Sequence, residues 1–103
     1  MEKINWKIKK NQQLLSAFLL VKNQAEMEYF LRDLMTEKEI EELSNRLEAA
    51  RLLSNKIQYN TISEKTGLSS TTIARISKWL NGSLGGYRII LKRLHHSNSH
   101  KLR

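Results

Sequence analysis

Apolar side chains recur along this chain at the three-to-four-residue spacing of helices, and nowhere do they alternate with the two-residue period of a strand. Met27, Phe30, Leu31 and Leu34 make the clearest stripe, at i, i+3, i+4 and i+7. Asn23 precedes it as an N-cap, with Glu26 three residues on in a capping-box-like pattern. Upstream, residues 7–21 read as a first helix, but Leu14, Leu15, Phe18, Leu19, Leu20 and Val21 leave it apolar on more than one face. Such a helix is buried on several sides, which one small monomer can hardly provide, so it is a candidate for insertion into a partner subunit. A third helix follows Thr36, whose spacing to Glu39 is a capping box, and runs to Ser54 with Ile40, Leu43, Leu47 and Ala50 on one face. Its second half adds Ala49, Leu52 and Leu53, again more apolar surface than one side can bury.

Glycine supplies the punctuation. The chain has no proline, and Gly67, Gly82, Gly85 and Gly86 all lie in its second half. Gly67 divides residues 59–80 into two short helices at a steep angle, with Ile62, Ser63, Leu68, Ile73 and Ile76 facing a core. Asn81-Gly82 ends the second of them. Gly85-Gly86 breaks the chain before a last helix over 87–94, and residues 95–103 read as a polar, disordered tail. The expected architecture is all-α, one helical domain over 1–94.

Charge changes the picture next. The formal net charge is +8 over 103 residues, which points to a polyanionic partner. Residues 57–103 carry eight of the lysines and arginines against Glu64 alone, so the excess belongs to the half that holds the paired short helices. On the second of these, Ser69, Ser70, Thr71, Thr72, Arg75 and Lys78 are the outward positions: hydroxyls first, cations later, no acid. That order suits a recognition helix whose N-terminal end enters a DNA major groove. Lys65, Tyr59 and Asn60, on the helix before it, are placed to touch the DNA backbone. Arg88, Lys92 and Arg93 are either a solvated face or supporting phosphate contacts, with neither favoured. Trp79 and Tyr87 are expected to be packing anchors.

The residues Phe30-Leu31-Arg32-Asp33-Leu34, Glu42-Leu43-Ser44-Asn45-Arg46, Thr66 to Arg75, and Lys78-Trp79-Leu80-Asn81-Gly82 with Gly85-Gly86-Tyr87-Arg88 resemble the Trp repressor superfamily, in particular its compact TrpR-like branch. The likeness spans roughly residues 10–94. It implies an intertwined, all-helical homodimer whose helix-turn-helix heads contact successive major grooves. In the Trp repressor, bound tryptophan orients those heads and two arginines contact it. By position these look like Arg46 and Arg75. The glycine that leaves room for the indole looks to be replaced by Ile76, which argues against tryptophan as corepressor. Arg46, Arg75 and Ile76 therefore mark a candidate pocket for some other small anionic effector.

Other chemistry is thin. The chain has no cysteine, so no disulfide or thiolate site. Its longest apolar run, Leu14 to Val21, is too short to span a bilayer, and no signal peptide or membrane partner is expected. His96 and His100 share i, i+4 spacing without a third ligand, so no metal site is expected. Glu37, Glu39, Glu41 and Glu42 are explained by a helix start. The sequence is read as a non-enzymatic, cofactor-free, cytoplasmic bacterial protein. The expected function is sequence-specific double-stranded DNA binding as a homodimeric transcriptional regulator, more a repressor than an activator. The alternatives are a helical protein-interaction module and a non-specific nucleic-acid binder.

Overall fold

In a computed structural model, residues 3–101 are described, and they contain helices and no strand. The helices are α1 (Lys9–Leu20), α2 (Gln24–Leu34), α3 (Glu37–Ser54), α4 (Tyr59–Thr66), α5 (Ser70–Leu80) and α6 (Gly86–Lys101). They form two compact units, the first ending at Glu37 and the second beginning at Lys38. The second unit begins one residue into α3.

In the first unit, α1 starts two residues later than its apolar pattern suggests, and Ile8 caps it without a side-chain hydrogen bond. The α2 start follows the sequence closely. Asn23 Oδ1 accepts the Glu26 N–H at 2.9 Å. The Glu26 carboxylate reaches back to the Lys22 N–H at 3.1 Å, one residue beyond the ideal capping box. Phe18 of α1 and Phe30 of α2 meet edge to face, centroids 5.5 Å apart. Neither helix has a single buried residue, and Leu19 and Leu20 are 86% and 75% exposed. This unit carries apolar surface that one chain leaves open to water.

The second unit holds the core. Ala49, Ala50 and Leu52 of α3, Ile62 of α4, and Ile73 and Ile76 of α5 are buried together, with Leu53, Ile57, Leu68, Tyr87 and Leu91 packed around them. The two alanines have no exposed surface. The end of α3 is a Schellman motif: Ile57 N–H donates to Leu52 O at 3.1 Å and Lys56 N–H to Leu53 O at 2.9 Å. Lys56 occupies the left-handed position at φ 61°, the one non-glycine there among the described residues. A side chain in that conformation costs about 1 kcal/mol. Lys56→Gly is expected to raise stability by roughly that amount, read as a shift of the urea midpoint at unchanged slope. A lower midpoint would mean that the lysine makes a compensating contact.

The last helix departs from the sequence reading. Instead of ending at Leu94 before a disordered tail, α6 runs on to Lys101. Neither glycine nor proline interrupts residues 87–101, and adding residues to an established helix is far easier than starting one. Residues 102 and 103 of the expected tail lie outside the described residues.

Candidate nucleic-acid interface

The turn between α4 and α5 is hydrogen-bonded by the residues that make it. Gly67 ends α4 at φ 73°, and its N–H donates to Ser63 O at 2.8 Å. Thr66, the buried polar residue here, donates its hydroxyl to Ile62 O at 2.7 Å and accepts the Leu68 N–H at 3.3 Å. Ser63 donates to Leu68 O at 2.7 Å. Thr66 is more polar than an inward position usually allows, and these bonds are the reason it is tolerated.

Helix α5 then shows two faces. Ile73, Ile76 and Leu80 are buried against the core. Ser70, Thr71, Ala74, Arg75 and Lys78 are exposed, with no carboxylate anywhere on the helix. The six outward positions expected from sequence do not behave alike. Ser69 is the N-cap: its hydroxyl accepts the Thr72 N–H at 3.2 Å and donates to Thr72 Oγ1 at 3.0 Å. Thr72 is half-buried rather than outward. Ala74 is a member of the outer face that the sequence reading missed, although it stands four residues after Ser70 and helical spacing alone places it there.

Lys65 is exposed on α4 and lies near enough to Glu48 of α3 to act on its charge. Arg51 Nε and Nη2 donate to the two carboxylate oxygens of Glu48 at 2.6 and 3.1 Å. That hydrogen bonding, with the nearby charges of Arg51 and Lys65, holds the Glu48 carboxyl below its ordinary value against the opposing pull of burial. Arg88 is neither a plain solvated residue nor a free cation: its Nη1 donates to Leu80 O at 2.8 Å, tying α6 to the last carbonyl of α5.

The candidate effector residues come together. Arg46, Arg75 and Ile76 line one open hollow of about 610 Å³, with Thr72, Trp79 and Tyr87. Arg46 Nη2 donates to Glu42 Oε1 at 3.2 Å, while its Nε is buried and has no hydrogen-bond partner among the described residues. Tyr87 packs against the core, as expected, whereas Trp79 stays nearly half exposed at the rim. Ile76 belongs at once to the core and to the hollow wall. A second hollow, about 680 Å³, lies between α3 and α6 over Leu47, Leu91 and Leu94, with Arg88 and Lys92 beside them.

No group of three His, Cys, Asp or Glu able to hold a metal exists among the described residues. The His96–His100 pairing lies outside them, because the His100 side chain is not described. No described helix is long and apolar enough to cross a membrane.

The family model for the Trp repressor protein matches residues 9–95. The uncharacterized protein YerC of Bacillus subtilis (strain 168) is 38% identical over 82 residues, covering 80% of this chain and 79% of that protein. A solved structure of a TrpR like protein from Eubacterium eligens ATCC 27750 superposes with a TM-score of 0.82 at 38% identity, covering 87% of this chain and 93% of that one. A second solved structure, from Staphylococcus aureus, reaches a TM-score of 0.76 at 34% identity, covering 82% and 84%.

Proposed function

Because this chain belongs to the Trp repressor family, a family of DNA-binding regulators and not of enzymes, we propose that it is a transcriptional repressor that binds a specific double-stranded sequence as a homodimer. The observation that carries this reading is the outer face of α5, where exposed hydroxyls and cations stand together without a carboxylate. A buried face of Ile73, Ile76 and Leu80 holds that outer face on a rigid core. The paired helices α4 and α5 then serve as the helix-turn-helix head, with α5 in the major groove. The apolar surface left open on α1, and Leu91 and Leu94 beside the α3–α6 hollow, supply what a second subunit would cover. Two heads predict a pseudo-palindromic site with half-sites about 34 Å apart, in the cytoplasm of a bacterial cell.

The hollow beside α5 is the place for an effector. Arg46 and Arg75 favour an anion, and Trp79 and Tyr87 offer apolar walls. Tryptophan is not that effector, because Ile76 fills the position at which the Trp repressor keeps a glycine and is itself part of the core.

Selection from random duplex DNA at physiological salt, followed by sequencing, tests the reading. A spaced, pseudo-palindromic motif is expected, with or without tryptophan in the buffer. A motif that emerges only with tryptophan would sink the argument from Ile76, and a flat pool would favour a protein-interaction module or a non-specific binder. On the selected duplex, Lys78→Ala and Arg75→Ala are each expected to weaken binding about tenfold, on the scale of one lost charged contact. Both positions are exposed, so the fold should be unaffected. Unchanged affinity in both variants would count against α5 as the reading helix.

A further inference from the structure

We infer that α5 recognises its half-site through thymine methyl groups in the major groove, contacted by Thr71 and Ala74. The inference rests on the regulator reading above and concerns the chemistry of the base contact. It begins with what the first turns of α5 still have to offer. Ser69 has its hydroxyl engaged as both donor and acceptor with Thr72. Thr72 is half-buried on the wall of the hollow. Ile73 and Ile76 are in the core. What remains outward between the N-cap and Ala74 is the Ser70 hydroxyl, the Thr71 hydroxyl and methyl, and the Ala74 methyl.

None of these is an arginine, lysine, asparagine or glutamine, the side chains that grip guanine or adenine at two points. The first outward cations are Arg75 and Lys78. Arg75 also lines the hollow, and Lys78 stands two turns along the helix, away from the end that enters the groove. A serine hydroxyl donates or accepts and so separates the bases poorly. A methyl group finds one apolar partner on a base edge in the major groove, the C5 methyl of thymine. Ala74 adds a second effect: with no side chain beyond Cβ, it lets the helix backbone come close to the groove floor.

The test uses the full-length protein and the duplex recovered by selection. Deoxyuridine in place of each half-site thymine removes the 5-methyl and leaves base pairing intact, and fluorescence anisotropy reads the affinity. A loss of about fourfold per contacted methyl is expected, from the transfer free energy of one such group. The loss should shrink in the Thr71→Ser, Ala74→Ser double variant, whose positions are exposed and whose helix should persist. A selected motif that tolerates deoxyuridine at every position, or whose half-site holds no thymine, would overturn the methyl contact and leave the regulator reading standing. An undiminished loss in the double variant would assign the contact to other residues and overturn it equally. A pool without any motif would overturn both.

Discussion

Ile73→Ala is expected to lower the stability of the second unit by about 3–4 kcal/mol, inside the range of about 2–5 kcal/mol for emptying a buried aliphatic position. Ile73 has no exposed surface and is one of the two largest fully buried side chains among the described residues. It is also the residue through which the N-terminal half of α5 is anchored, one position from Thr72 and two from Thr71. A domain of this size has a total stability of only about 5–10 kcal/mol, so the loss is a large fraction of it. The melting temperature should fall by about 15 °C or more, and DNA binding should fail at growth temperature through unfolding. Thermal circular dichroism checks the first statement and anisotropy below the new midpoint checks the second. A drop of less than about 1 kcal/mol would mean that neighbouring helices collapse into the space and that α5 is loosely held.

Leu19→Glu with Leu20→Glu is expected to act in the opposite manner, leaving the single chain folded while abolishing its assembly. Both side chains lie almost wholly in water in one chain, so the charges meet no penalty there. If a second subunit covers them, two carboxylates are forced into an apolar interface without partners, a cost of several kcal/mol. Sedimentation should then report a monomer with unchanged helix content. Affinity for the two-half-site duplex should drop about 100-fold or more, because the second head no longer binds as part of the same molecule. A double variant that stays dimeric would remove α1 from the dimer surface.

The order of helices was legible because it depends on neighbours in sequence. The stripe from Met27 to Leu34, the Asn23 cap and the breaks at Gly67 and Gly85 each act within one or two turns, and each marks its element correctly. Features that depend on the third dimension were less so. Nothing in the residue type of Lys56 marks a left-handed conformation, which comes from the way α3 must turn. Arg88 looks like any surface cation until α6 lies beside the end of α5 and its guanidinium meets Leu80 O. The length of α6 was missed because polar residues after Leu94 resemble a tail, yet polarity alone does not stop a helix. Among the outward residues of α5, periodicity separated buried from exposed. It could not show that Ser69 and Thr72 bond to each other, nor that Ala74 would matter by being small.

The separation of the two faces of α5 bears on how such a protein diversifies. Ile73 and Ile76 share one buried cluster with Ala49 and Ala50 and have almost no exposed surface, so nearly any change there is felt as instability. Ser70, Thr71, Ala74 and Lys78 are exposed, and substitutions at such positions usually shift stability by no more than about 0.5 kcal/mol. If α5 reads the operator as proposed, a duplicated copy drifts to a new one through these four codons while its scaffold stays under constant selection. Descendants of this fold should differ most on the outer face of α5 and least at Ala49 and Ala50, two alanines without exposed surface.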